Sequence, residues 1–227
     1  MDWSDFDENY TQLKNVLRDL IGNSENVDEH NIYEGYLGYR DEVKIIVERI
    51  EEETQVHMKM FREVSGMIEK EEEPNGLLDA FLNYHSLIRL DVKSFFIFTR
   101  IFIDTLARIV KLRFGEKGKN LPWRMRKLLK NEEFLALDPD FAEEFKSKMS
   151  WMTDFIETRD EIEHYLGNPR WYTVTGDGKF GFIIQGSSDR NTPFLGINKV
   201  DSIADFMEKI LSNLSEVILF IRCRFPS

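Results

Sequence analysis

From Leu77 to Phe114 the chain places Phe81, Leu82, Leu87, Ile88, Leu90, Phe95, Phe96, Phe98, Ile101, Phe102, Ile103, Leu106, Ile109 and Leu112 so densely that a helix here has almost no polar face. A helix apolar on most faces must be covered on most faces, so it forms either the centre of a bundle or part of a dimer interface. It does not read as a membrane span, because Arg100, Asp104 and Arg108 interrupt the most apolar run, Phe95–Phe114. Arg100/Asp104 and Asp104/Arg108 are i,i+4 neighbours, which predicts an internal ion-pair ladder. The competing reading has Arg100 lending positive charge to a cleft beside Arg159. His85, next to Tyr84, is expected to be partly buried and hydrogen-bonded.

Upstream, Ser4 or Asp5 caps a first helix running to about Ile21, with Phe6, Tyr10, Leu13, Val16, Leu17 and Leu20 on one face and Gly22-Asn23-Ser24 as its end. A polar connection containing His30 follows. A second helix is predicted from about Tyr33 to Glu72, with Val43, Ile46, Val47, Ile50, Val56, Met60, Val64 and Ile68 in helical period. His57 stands alone in a charged stretch and reads as solvent-facing. Pro74-Asn75-Gly76 is the clearest break. It divides an N-terminal helical extension, 1–73, from a helical core, 74–227, although the two can pack as one domain.

The formal charge is −11, yet residues 111–130 hold eight basic side chains against Glu116 alone, a local +7. Lys119, Arg124, Arg126 and Lys127 in this stretch are candidates for phosphate or RNA contacts, and a solvated loop and helix face explains the same residues equally well. Gly115-Glu116-Lys117-Gly118-Lys119-Asn120 is not a phosphate loop, since the glycine spacing is wrong and no Ser or Thr follows the lysine. Pro122 is expected to open a short basic helix, 123–129. Beyond residue 170 the texture turns to strand. Trp171–Thr175 and Lys179–Ile184 flank Gly176-Asp177-Gly178 as a β-hairpin would, and Phe194–Ile197 adds a third short strand. Asp201 or Ser202 then begins a last helix, ending before Pro226. The predicted fold is mainly α, an up-and-down helical bundle with a β-hairpin inserted before the last helix.

Residues 140–168 read as one amphipathic helix. Asp138-Pro139 starts it, Gly167-Asn168-Pro169 stops it, and Phe141, Phe145, Met149, Met152, Ile156 and Ile162 face a core. Its last turns carry Arg159-Asp160-Glu161-Ile162-Glu163-His164. At about 100° per residue Arg159 and His164 stand about 140° apart, too far for one compact site on a single helix. A second copy of the chain must complete a site, or there is none. In the bland alternative Arg159 pairs with Glu163 and His164 caps the helix end against Asp160.

An arginine, a polar residue and a histidine in the spacing Arg-polar-x-x-x-His near the end of a bundle helix resembles the signature of the HEPN superfamily, helical proteins that include metal-independent ribonucleases. Asp160 fits the polar position. The match covers six residues, and Leu166 stands where a related subgroup has tyrosine, so no modification site carries over. The resemblance implies a homodimer whose composite site holds Arg159 and His164 as catalytic residues, supported by Asp160; the competing reading of Arg100 adds its charge to the same cleft. It implies RNA cleavage to a 2′,3′-cyclic phosphate and a 5′-hydroxyl. The alternative it implies is an inactive dimeric binding module in defence or toxin–antitoxin function, with a protein partner.

Other chemistries find little purchase. Four scattered histidines and one cysteine make no ligand-spaced pair, so no metal site is expected, and no dinucleotide fingerprint or hydrolase elbow is present, so no cofactor is expected either. The acidic N-terminus lacks a signal pattern and Cys223 is the single cysteine, which together point to a cytoplasmic protein without a membrane anchor.

Overall fold

A computed structural model of the chain describes residues 3–21, 26–156, 159, 172–174, 180–185 and 197–225. It is mainly helical. The elements are α1 (Ser4–Ile21), α2 (Val27–Glu69), α3 (Asn75–Arg113), a 3₁₀ turn (Gly115–Gly118), α4 (Met125–Leu128), α5 (Glu132–Leu137), α6 (Pro139–Lys148), a stretch α7 helical over 152–156 and at 159, and α8 (Ile203–Cys223). Between α7 and α8, β1 (Tyr172–Val174) pairs antiparallel with β2 (Phe180–Gln185), and β2 with β3 (Ile197–Ser202). The expected Gly176-Asp177-Gly178 turn lies outside the described residues, as do the helix stops at Gly22-Asn23-Ser24 and Gly167-Asn168-Pro169.

The chain divides into two compact units that are discontinuous in sequence. The first comprises Met1–Val43, Ile97–Thr153 and Glu208–Ser227; the second comprises Lys44–Phe96 and Asp154–Met207.

In the first unit, aromatic rings fill the space between helices. Tyr10 and Tyr36 stack at 4.6 Å, Tyr36 on Phe102 at 5.6 Å, and the Tyr36 hydroxyl donates to the Tyr10 carbonyl at 3.3 Å. Burial pushes both phenols well above their ordinary pKa. Arg40 lies over the Tyr10 ring and pairs with Asp7, so α1 is held to α2 by ring stacking and charge together. Asn9 on α1 donates to Ser215 on α8 at 2.9 Å. A second cluster, Phe134, Phe141, Phe145 and Phe220, packs edge-on and stacked at 5.2–6.2 Å. Around it Arg113 donates to Asp138 and to the Arg224 carbonyl, both at 2.8 Å. Asp138 also accepts from the Phe141 amide at the start of α6, and that bond, with Arg113, holds its carboxyl below the ordinary value.

The second unit has Ile46, Val47, Ile50, Ile88, Val92, Phe95 and Phe96 at its core, with Phe96 stacked on Phe155 at 5.2 Å. Here α2 ends in a Schellman arrangement: the Glu72 amide donates to the Met67 carbonyl at 2.9 Å and the Glu71 amide to Ile68 at 3.0 Å. Glu71 takes the left-handed position, φ 58°, which glycine occupies at lower cost. Glu71→Gly is therefore expected to stabilise the fold by about 0.5–1 kcal/mol, a rise of roughly 2–3 °C in the thermal midpoint. An unchanged or lowered midpoint would refute the left-handed assignment.

Several expectations are corrected. The single helix over 140–168 is interrupted: α6 stops at Lys148, and 149–151 form tight turns in which the Ser150 amide bonds Ser147 and the Met152 amide bonds Met149. Ser147 near the end of α6 and Ser150 within the break are both weak helix formers. α2 begins at Val27, so His30 belongs to the helix and not to a connection. Leu20 and Ile68, expected on buried faces, are 50 % and 61 % exposed. α3 is not covered all round either, since Leu82, Leu87, Leu90 and Ile97 are exposed. α4 starts at Met125, two residues later than expected, and β3 takes in Asp201 and Ser202, so the last helix begins at Ile203.

Candidate nucleic-acid interface

The basic stretch after α3 is shaped by its two glycines. Gly115 takes φ 52° and turns the chain off the helix; Gly118 packs so closely that a Cβ there would lie 2.3 Å from the Lys111 carbonyl. The loop that invites comparison with a phosphate loop is thus a tight 3₁₀ turn folded back on the end of α3. Lys119, just after the turn, is exposed, with its ammonium 4.0 Å from the Glu116 carboxylate.

Asp104 organises what comes next. Its Oδ1 accepts the Met125 amide at 2.8 Å, capping α4 from across the fold, and its Oδ2 lies 3.5 Å from Arg100. The expected ladder is therefore half formed. Asp104 pairs with Arg100 and not with Arg108, because the carboxylate is turned toward the backbone of α4. Arg100 is a structural partner of Asp104 in this unit, only 19 % exposed. Asp104→Ala should cost about 1–2 kcal/mol, the loss of a cap with a charged acceptor. Chemical denaturation would measure it, and a change within error would remove Asp104 as the anchor of α4.

Freed from Asp104, Arg108 lies over the Trp123 ring at 5.2 Å, and Arg124 over the same ring at 4.7 Å. Trp123 is 47 % exposed. Neither arginine pairs with a carboxylate among the described residues. Arg126 and Lys127 follow, exposed, on α4. Lys111 has its pKa lowered by burial and by Arg108, which marks the crowding of positive charge here. Arg113 is withdrawn from the patch by its bonds to Asp138 and Arg224. Of the stretch's charges, Lys119, Arg124, Arg126 and Lys127 stand exposed as the sequence suggests. Trp123 and Arg108 join them, which the charge count alone does not reveal; an exposed tryptophan beside basic residues is the signal that finds them.

The Arg/His pair is only half described. Arg159 is helical and partly buried. Asp160 and His164 lie outside the described residues, and so do Glu157, Glu161 and Glu163. The described residues contain no group of three or more His, Cys, Asp or Glu arranged to hold a metal ion, and no helix long and apolar enough to cross a membrane. No family model, curated protein or solved structure matches this chain.

Proposed function

We propose that the protein is a metal-independent endoribonuclease of HEPN-like type, acting as a homodimer. The observation that carries the reading is the sequence string Arg159-Asp160-x-x-x-His164, downstream of a segment helical over 152–156 and with Arg159 itself in helical conformation. The β-strand pairing between α7 and α8 is, on this reading, a hairpin insertion before the last helix. Lys119, Arg124, Arg126 and Lys127 supply phosphate contacts.

Cleavage without metal needs a base for the 2′-hydroxyl proton, an acid for the leaving 5′-oxygen and a cation for the charge gathering on phosphorus. Histidine suits the first two roles because it titrates near neutrality. Arginine suits the third, being permanently charged and forked to match phosphate oxygens. In-line attack sets base and acid on opposite sides of the phosphorus, so one His164 cannot serve both. Two subunits related by a two-fold axis supply the pair. The test is cleavage of single-stranded RNA in EDTA by wild type and His164→Ala, together with the mass in solution. Cyclic phosphate products from a dimer, lost in the variant, support the proposal; equal cleavage by both proteins ends it.

One observation favours a second reading. Glu157, Asp160, Glu161 and Glu163 crowd the motif, and negative charge beside a phosphate site repels substrate. A dimer that binds RNA or a protein partner without cutting RNA fits that crowding, as an inactive module in defence or toxin–antitoxin function would. A dimeric wild type without cleavage selects it.

A further inference from the structure

We infer that the surface formed by Trp123, Arg108 and Arg124 is a stacking platform for the bases of single-stranded RNA. The inference rests on the RNA-binding part of the reading above and specifies the form of RNA; it does not depend on Arg159 or His164.

Trp123 presents about half of its surface to solvent at the centre of the most basic stretch of an acidic chain. An indole left open costs hydrophobic burial, and here two guanidinium groups attend the ring, at 4.7 and 5.2 Å from its centroid. A guanidinium lying over an aromatic face keeps its N–H groups at the edge of the stack, directed outward as phosphate donors. The Asp104 carboxylate that would neutralise Arg108 is spent on the Met125 amide and Arg100. The surface thus combines a π-face with forked donors that no carboxylate among the described residues neutralises, the pairing that takes an unstacked base and its adjoining phosphates together. A duplex keeps its base faces inside the stack and offers only the phosphates. An acidic protein segment would engage the arginines but gain nothing specific from the indole.

The test uses the full-length protein and a short 2′-O-methyl oligoadenylate, which has no free 2′-hydroxyl and so binds without being cut. Wild type is expected to bind at low salt with quenching of tryptophan fluorescence. Trp123→Ala should weaken binding roughly 5- to 100-fold and abolish most of the quenching, Trp123→Phe should recover part of the affinity, and Arg124→Ala should lower both the affinity and the salt dependence. Because Trp123 is exposed, matching thermal midpoints check that the variants are folded. Affinity unchanged in Trp123→Ala, a duplex bound as tightly as the single strand, or polyglutamate competing as well as the oligonucleotide would each overturn the inference. Binding that needs Trp123 in a protein that cuts nothing removes the nuclease reading alone, whereas cleavage with binding indifferent to Trp123 removes this inference alone.

Discussion

Arg159→Ala and His164→Ala are each expected to reduce RNA cleavage by roughly 10²–10⁴-fold, the usual worth of one positioned general acid–base or one charge-stabilising group. The more telling result is what an inactive subunit does to an active one. If each chain cuts alone, adding excess His164→Ala to wild type leaves total activity unchanged. If two chains share the site, every mixed dimer holds one imidazole where the in-line displacement needs two. Activity should then fall toward zero as excess variant exchanges into the wild-type pool. Size-exclusion mass of the mixture checks that exchange has occurred. Activity that persists under excess variant, with exchange demonstrated, discards the shared site while leaving a single-chain nuclease open to test. Salt adds a second reading, since substrate held by the patch around Trp123 should be released steeply as ionic strength rises.

The helical framework is legible because its signals are local and redundant. The start of α1 at Ser4, the long period of α2, the cap at Asp138 and the proline at the head of α6 all follow from residue types at fixed offsets. What the sequence hides is long-range. Nothing within a few residues of Asp104 says that it will cap Met125, twenty-one positions on, and so abandon Arg108. That one choice turns an expected ion-pair ladder into an arginine stacked on Trp123. The break at 149–151 is hidden for another reason: the apolar period runs straight through Phe145, Met149 and Met152, so burial is preserved while the backbone leaves the helix. Six of the candidate residues, Arg100, Lys119, Arg124, Arg126, Lys127 and Arg159, fall where side chains are described, and Arg100 pairs with Asp104 as their i,i+4 spacing predicts.

His57 shows the same limit most sharply and leads to the second large effect. It is the one histidine of a largely charged stretch, so it reads as exposed, but it lies on the face of α2 that meets α3 and is 2 % exposed. Its ring stacks on Phe81 at 4.3 Å and stands 5.5 Å from His85. Burial, with His85 adding to it, pushes its pKa down to about 4 from 6.5. In the folded chain His57 is therefore neutral over a range where the unfolded chain binds a proton. Stability from this residue is fully present above about pH 6.5 and is lost as pH falls toward 4. At about 1.4 kcal/mol per pKa unit the full loss amounts to roughly 3–4 kcal/mol. Nearby, burial raises the carboxyls of Glu53 and Asp91, with Arg49 opposing it at 2.9 Å from Asp91. A raised carboxyl works in the opposite sense, contributing at low pH and losing that contribution as pH rises, so the total pH profile blends the two. His57→Leu separates them. Urea unfolding at pH 7 and pH 4.5 should show wild type losing about 2 kcal/mol more on acidification than the variant does. Parallel losses in the two proteins would mean that His57 is hydrated and titrates normally, and that its stacking on Phe81 is not what holds this part of α2 against α3.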